Sequence, residues 1–136
     1  MKRVLVLLAL CVSTSSVVAS SLTVFQDPNC GCCEGWAEHM RASGFIVKTV
    51  KTDRVWEVKS QFGVPEQLSS CHTAVLDGTA QIVEGHVPAS VVRKLLLSEK
   101  TRGVAAPGMP VNSPGMGEMD GNLITVDFDG RFFSRD

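Results

Sequence analysis

Four cysteines dominate the chemistry that this sequence could carry out. Cys30, Cys32 and Cys33 fall within the run Cys-Gly-Cys-Cys, and Cys71 stands far along the chain, directly before a histidine. Three thiols in such a short run are too dense to serve as hydrophobic filling. Thiolates bind soft metals or exchange disulfides, and few other chemistries need them at this spacing. The pattern therefore predicts a soft-metal site or a thiol–disulfide centre.

The run also contains a C-x-x-C pair, Cys30 with Cys33, at the predicted start of a helix. Backbone N–H groups at a helix N-terminus stabilise thiolates, which favours redox exchange as well as metal binding. Cys32 departs from a plain dithiol motif and suits a polynuclear thiolate site, in which one sulfur bridges two soft ions. Zinc is a rival metal, but the adjacent Cys32 and Cys33 would bind one tetrahedral ion awkwardly. An iron–sulfur cluster needs a different spacing.

The three histidines are further candidate ligands. His86 lies in a loop bounded by Gly and Pro that should open towards the cysteines. His72 follows Cys71 and either joins the metal or packs as a core histidine. His39 lies two helical turns after Cys32, at a distance of ~10 Å, so it is a ligand only if another segment folds over it. The alternative for His39 is a surface or capping role.

Three methionines lie in an irregular segment where burial is not the obvious reason for them: Met109, Met116 and Met119. A thioether is a soft ligand that selects Cu(I). The alternative is that these side chains fill gaps where the loop lies on the domain. Met109 and Met116 are the stronger candidates for ligands.

The order of predicted elements is typical of an α/β fold. The pattern predicts, in turn, a strand, the cysteine run, a helix, a strand, a helix, a hairpin, a helix, a loop and a final β-hairpin (22–25, 30–33, 33–42, 45–50, 53–62, 72–83, 88–98, 103–121 and 122–133). A parallel first pair joined by a crossover helix indicates a thioredoxin-like mixed sheet flanked by helices. The loop is rich in Met, Gly and Pro. In this frame Cys71 faces the cysteine run, at a place where a cis-proline commonly sits.

The first residues predict export. A basic start and a short apolar stretch end at Ala19, so residues 1–19 are expected to be a cleaved signal peptide and residues 20–136 a single domain. A lipoprotein processed at Cys11 is the alternative. Loss of Lys2 and Arg3 takes the net charge from −1 to about −3, and no basic run suggests nucleic acid. The mature chain has no apolar stretch long enough to span a membrane.

Several segments together resemble the periplasmic CopG-type copper-resistance proteins. The resemblance rests on the cysteine run with Trp36 and His39, on Gly44-Phe45, on residues 70–74 and 84–89, and on residues 107–110 and 113–116. It covers nearly all of the mature chain, although Asn112 stands where a glycine is expected. The resemblance implies a thioredoxin-like fold, a periplasmic location, copper bound by cysteines, and a role in copper tolerance. Interconversion of Cu(I) and Cu(II) is a further implication.

These observations lead to a first hypothesis and two alternatives. The first is a periplasmic copper-binding protein with a cysteine-rich, polynuclear Cu(I) site that could open to Cu(II), which would make it a copper oxidoreductase. Its expected ligands are Cys30, Cys32, Cys33, Cys71, His86, Met109, Met116 and His39. Envelope proteins for copper export or copper oxidation are its candidate partners. The alternatives are a dithiol–disulfide oxidoreductase that uses Cys30 and Cys33, and a secreted domain held by two disulfides.

Overall fold

The computed structural model describes residues 19–136, so all of the predicted signal peptide except Ala19 lies outside the described residues. Seven strands and three helices follow one another along the chain, with a 3-10 turn at Glu66–Leu68. Their bounds are β1 Ser21–Gln26, α1 Gly31–Ala42, β2 Ile46–Lys51, α2 Val55–Gln61, β3 Thr73–Leu76, β4 Ile82–Glu84, α3 Ala89–Leu96, β5 Gly103–Ala105, β6 Ile124–Asp127 and β7 Phe132–Arg135. Within this range, no helix has the length and apolar character needed to cross a bilayer.

The strands form one mixed sheet in the order β2-β1-β3-β4-β5-β6-β7. β1 runs parallel to β2, with α1 as the crossover, and β4 runs parallel to β5, with α3 between them. The other neighbouring pairs are antiparallel. The predicted α/β class, the mixed sheet and both hairpins are confirmed, while the thioredoxin-like assignment stays a prediction.

The predicted loop over residues 103–121 is wrong at its start, because Gly103–Ala105 forms β5 inside the sheet. A strand of three residues is too short to give a periodic signal, and its stability comes from its neighbours on both sides. Gly103 is required there, since a Cβ atom would lie 2.7 Å from the ring of Phe128. The irregular segment therefore begins after β5 and ends before β6.

Hydrophobic side chains pack on both faces of the sheet. On one face, α1 and α3 cover β1, β3 and β4 with a cluster that includes Trp36, Met40, Val91 and Leu95. On the other face, a smaller cluster joins Leu68 to side chains from β4, β5 and the segment after β6. Trp36 and Met40, which share a helical stripe with Cys33, are both fully buried.

Helix α1 begins two residues earlier than the sequence predicts. Its N-cap is Cys30, and its first turn contains Cys32 and Cys33. Cys33 faces the core, as do Trp36 and Met40 farther along the helix. Trp36 Nε1–H donates to the carbonyl of Val87, at 2.8 Å, and so ties α1 to the loop before α3. The cysteine run is thus built on a helix end that is anchored by packing.

Candidate metal centre

The four cysteines converge because α1 and β3 begin at the same end of the sheet. β3 pairs antiparallel with β1, and Thr73 lies opposite Phe25 near the end of β1. An antiparallel register puts the beginning of one strand beside the end of its neighbour. Cys71 precedes β3, and the cysteine run follows β1, so the two meet across a short gap. The structure thus has Cys71 opposite the run, as the sequence predicts.

Every sulfur of this four-cysteine group lies within 4.8 Å of the others. Cys30 and Cys33 are joined by a disulfide, while Cys32 and Cys71 carry free thiols. Cys32 Sγ lies 3.5 Å from Cys30 Sγ and 3.9 Å from Cys71 Sγ. The group offers two thiols in this state, and reduction of the disulfide would supply two more.

The disulfide bears on both alternatives to metal binding. Cys30–Cys33 is the pair that a dithiol oxidoreductase would use. A second bridge between Cys32 and Cys71 is absent from residues 19–136, because a sulfur separation of 3.9 Å is well beyond bonding distance. Of the two bridges that the two-disulfide alternative requires, the described residues contain one.

His86 is buried and points its Nε2 atom at Cys71 Sγ, at 2.9 Å. Its other ring nitrogen, Nδ1, lies 2.8 Å from the carbonyl oxygen of Pro114. A carbonyl can only accept a hydrogen bond, so the proton of the neutral ring is on Nδ1 and the Nε2 lone pair faces the thiol. Ligating histidines are commonly oriented in this way by a second hydrogen bond.

His72 lies on the other side of the same thiol. Its Nδ1 atom is 3.4 Å from Cys71 Sγ, and its ring packs against those of Trp36 and His86, with centroids 4.5 Å and 4.9 Å away. The opposite nitrogen, Nε2, is buried and has no hydrogen-bond partner among the described residues. Cys71, His72 and His86 form a second group of possible metal ligands, which shares Cys71 with the first.

Burial keeps this centre neutral when no metal is bound. Desolvation, reinforced by the neighbouring Cys32, raises the pKa of Cys71 to about 11. Desolvation also lowers the pKa of His86, and it lowers that of His72 well below its usual range, with a smaller contribution from His86. Both imidazoles are therefore neutral at physiological pH and have a lone pair available, whereas Cys71 must lose its proton to bind an ion.

A buried carboxylate that the sequence analysis missed holds the backbone on both sides of Cys71. Glu84 accepts hydrogen bonds from Ser70 N–H at 2.7 Å, from Thr73 Oγ1 at 2.6 Å and from Lys59 Nζ at 2.6 Å. Burial raises the pKa of Glu84, and Lys59 opposes that shift. The available signal was a charged residue that directly follows Ile82 and Val83 at the end of an apolar strand.

The irregular segment packs closely against the first turns of α1, and two glycines make this approach possible. Gly115 has a positive φ of 87°, and a Cβ atom there would lie 2.5 Å from the carbonyl oxygen of Cys32. A Cβ atom on Gly35 of α1 would lie 3.1 Å from the Cα atom of Gly115. This close approach brings Pro114 over His86, so the segment orients a candidate ligand through its backbone.

The remaining candidates are less closely tied to the two groups. Met109 is about half exposed, with its Sδ atom 4.0 Å from Ser70 Oγ, next to Cys71. Met116 is half-buried, and Met119 is exposed. His39 accepts a hydrogen bond from the backbone N–H of Ala89 at 3.1 Å, which satisfies a free donor at the start of α3. Among residues 19–136, His39 belongs to neither group.

Comparison with solved structures decides the family. Two structures, titled "Copper resistance protein copG- Form 2" and "Copper resistance protein copG- Form 1", are each 38% identical to this chain, with TM-scores of 0.77 and 0.76. Each match covers 88% of this chain, and 99% and 98% of the respective structures. The chain belongs to the CopG copper-resistance family. The resemblance drawn from the cysteine, histidine and methionine motifs is thereby confirmed.

A family model described as "Protein of unknown function, DUF411" also matches, over residues 68–116. That range begins before Cys71, includes His72 and His86, and ends at Met116. It thus contains the whole Cys71–His72–His86 group and the part of the irregular segment that packs against the cysteine run. No curated protein sequence matches the chain.

Proposed function

We propose that this chain is an exported copper-binding protein that acts in copper resistance and holds Cu(I) in its four-cysteine group. One observation carries the proposal: four sulfurs from two distant segments lie within 4.8 Å of one another. Thiolates are soft ligands that select Cu(I). The titles of the two similar structures name copper resistance, which agrees with this choice of metal.

The reduced site should hold more than one Cu(I). One ion needs fewer donors than four thiolates provide, and Cys32 lies close to both Cys30 and Cys71, as a bridging sulfur would. We propose His86 and the thioethers of Met109 and Met116 as additional ligands. His39 remains a weaker candidate, because its Nε2 atom already accepts from Ala89.

The decisive experiment is an anaerobic Cu(I) titration of the reduced mature chain against a chromophoric chelator. We expect saturation above one Cu(I) per chain and a preference for Cu(I) over Zn²⁺. Saturation at one ion, with zinc bound more tightly, would overturn the polynuclear copper site. Mass analysis of the periplasmic fraction should also find a mature chain that begins at Ser20, which tests export and the domain boundary.

A second candidate function is dithiol–disulfide exchange by Cys30 and Cys33, favoured by the disulfide at the start of α1. A paired comparison of Cys32→Ser with Cys30→Ser separates the two functions. A copper site should lose at least as much Cu(I) affinity from Cys32→Ser as from Cys30→Ser, since Cys32 lies between two other sulfurs. A dithiol enzyme should tolerate Cys32→Ser and lose exchange activity with Cys30→Ser. Interconversion of Cu(I) and Cu(II) would give the first function an enzymatic side.

A further inference from the structure

The two sides of the four-cysteine group are held in place by different means. Cys32 and Cys33 lie in the first turn of α1, and Cys33 is buried in the core. Cys71 lies between the 3-10 turn and β3, outside any helix or strand. A thiol on an irregular segment keeps a fixed position only if other contacts hold its backbone, because free backbone rotation carries conformational entropy. Local secondary structure therefore does not account for the position of Cys71 opposite the cysteine run.

A single carboxylate supplies the missing contacts. Oε1 of Glu84 accepts from the N–H of Ser70 at 2.7 Å, and Oε2 accepts from the hydroxyl of Thr73 at 2.6 Å. One contact lies just before Cys71 and the other lies two residues after it. The hydroxyl of Ser70 also donates to the carbonyl of Gly108, at 2.6 Å, so Ser70 is held through both its backbone and its side chain. A carboxylate can accept several hydrogen bonds at once, and they are stronger than those of a neutral acceptor.

Lys59 completes this arrangement from α2. Its Nζ atom lies 2.6 Å from Glu84 Oε1 and donates to Thr73 Oγ1 at 3.0 Å. A cysteine group that binds metal gains negative charge from its thiolates, and an unpaired carboxylate next to it would repel that charge. The ammonium group of Lys59 cancels the charge of Glu84. The pair thus provides strong acceptors beside Cys71 without adding net charge.

Stability alone does not account for an ion pair in this place. The Glu84 side chain is fully buried and that of Lys59 is 13% exposed. Removing two charges from water costs free energy, and replacing such a pair by apolar residues of similar volume is often neutral or stabilising. What apolar residues would not supply is the set of hydrogen bonds on both sides of Cys71.

We propose that Glu84, paired with Lys59, is a positioning residue of the copper site, which fixes the backbone on both sides of Cys71 and so holds its thiol opposite the cysteine run. Glu84 acts through Cys71 and is not itself a ligand. The identity of the metal as Cu(I) rests on the proposed function, whereas the contacts of Glu84 are present without metal.

Two double variants remove both charges but differ in one hydrogen bond. Lys59→Met with Glu84→Gln, the glutamine variant, keeps a carbonyl oxygen that can accept from Ser70 N–H. Lys59→Met with Glu84→Leu, the leucine variant, has an apolar side chain that cannot. In anaerobic chelator competition, the leucine variant should lose about 10- to 100-fold in Cu(I) affinity, whereas the glutamine variant should stay within about threefold of the wild-type chain. X-ray absorption should show fewer sulfur ligands per copper in the leucine variant alone.

Amide hydrogen exchange over residues 71–73 of the reduced, metal-free chain tests the positioning without copper. Exchange should be faster in the leucine variant than in the glutamine variant. Lys94→Met with Asp136→Asn is the matched control, because it removes another ion pair, at 2.9 Å, whose carboxylate also accepts from a serine hydroxyl, that of Ser90. This control should change neither the Cu(I) affinity nor the exchange over residues 71–73.

Equal Cu(I) affinities of the folded glutamine and leucine variants, or equal exchange rates, would overturn the proposal. If the leucine variant fails to fold, Thr73→Val decides in its place, because it removes the hydroxyl that donates to Glu84. Wild-type affinity and wild-type exchange in Thr73→Val would then overturn the proposal. Failure of the wild-type chain to bind Cu(I) would overturn the proposed function, and the exchange rates alone would decide whether Glu84 positions Cys71.

Discussion

On one side of Cys71 lie three cysteines from a single short run at the start of α1. On the other side lie two buried histidines, one just before and one just after the β3–β4 hairpin. Cys30, Cys32 and Cys33 are covalently close, and their number of free thiols changes with oxidation. His72 and His86 are held by ring packing and by one backbone carbonyl, and neither takes part in the disulfide. The comparison shows that one shared thiol can join a donor set of variable composition to one of fixed composition.

The largest expected effect comes from removing the shared thiol. Cys71→Ser should lower Cu(I) affinity of the reduced chain by about 100-fold or more, because a single strong ligand interaction is worth several kcal/mol and each ~1.4 kcal/mol is tenfold. Chelator competition measures the loss. Unchanged Cu(I) affinity in Cys71→Ser would show that the copper site is confined to the cysteine run.

The second prediction tests the backbone contact that orients His86. Gly115→Ala puts a Cβ atom against the carbonyl oxygen of Cys32 at a positive φ, so it should lower the free energy of unfolding by about 2–4 kcal/mol, of which ~1–2 is the left-handed backbone itself. Gly121→Ala is the matched control. Its φ is also positive, at 76°, but a Cβ atom there would meet nothing within 4 Å.

Denaturant unfolding of the two variants separates two costs. Gly121→Ala measures the strain of a positive φ alone, and the further loss of stability in Gly115→Ala measures the steric clash with Cys32. Gly115→Ala should also weaken Cu(I) binding by the reduced chain, because it displaces Pro114 from His86, whereas Gly121→Ala should not. If the two alanine variants changed metal affinity equally, the contact between Gly115 and α1 would be unimportant for the orientation of His86.

The third prediction concerns pH. Because burial raises the pKa of Cys71 to about 11, the thiol is protonated at neutral pH, and the ion must displace one proton. The histidine pKa values are lowered, so these rings release no proton in this range. The part of the Cu(I) affinity that Cys71→Ser removes should therefore rise by about tenfold per pH unit above neutrality, up to the Cys71 pKa.

The same shift predicts a change in stability without metal. A thiol whose pKa is higher in the folded state than in the unfolded state favours folding while it is neutral. Its contribution is fully present below the unfolded value of 9.0, and it is lost as pH rises towards about 11. The stability difference between the wild-type chain and Cys71→Ser should narrow over that interval. A constant difference would contradict burial as the cause of the raised pKa.

The smallest expected effect comes from the thioethers. Met109→Leu with Met116→Leu keeps apolar bulk but removes two soft donors, so it should lower Cu(I) affinity by about two- to tenfold and leave the fold intact. Wild-type Cu(I) affinity in the double variant would mean that these side chains only pack.

Much of the fold and half of the candidate centre follow from local sequence. The cysteine run, the apolar stripe on α1 and the two hairpins are short-range patterns, and the structure contains each of them. The position of Cys71 close to the cysteine run could also be predicted from the sequence, because the order of elements constrains which strand ends meet. β5 was missed, since its stability comes from pairing with β4 and β6 rather than from its own three residues.

The sequence by itself determined that this chain carries a dense set of soft donors, because covalent neighbours are close in any fold. Only the tertiary structure decided which thiols are paired, which histidines reach Cys71 and which ring nitrogen faces it. Those outcomes depend on contacts between distant segments, such as the Pro114 carbonyl on His86 and the Glu84 carboxylate on Ser70. A backbone carbonyl is present at every residue, so nothing in the sequence marks the one that orients a ligand.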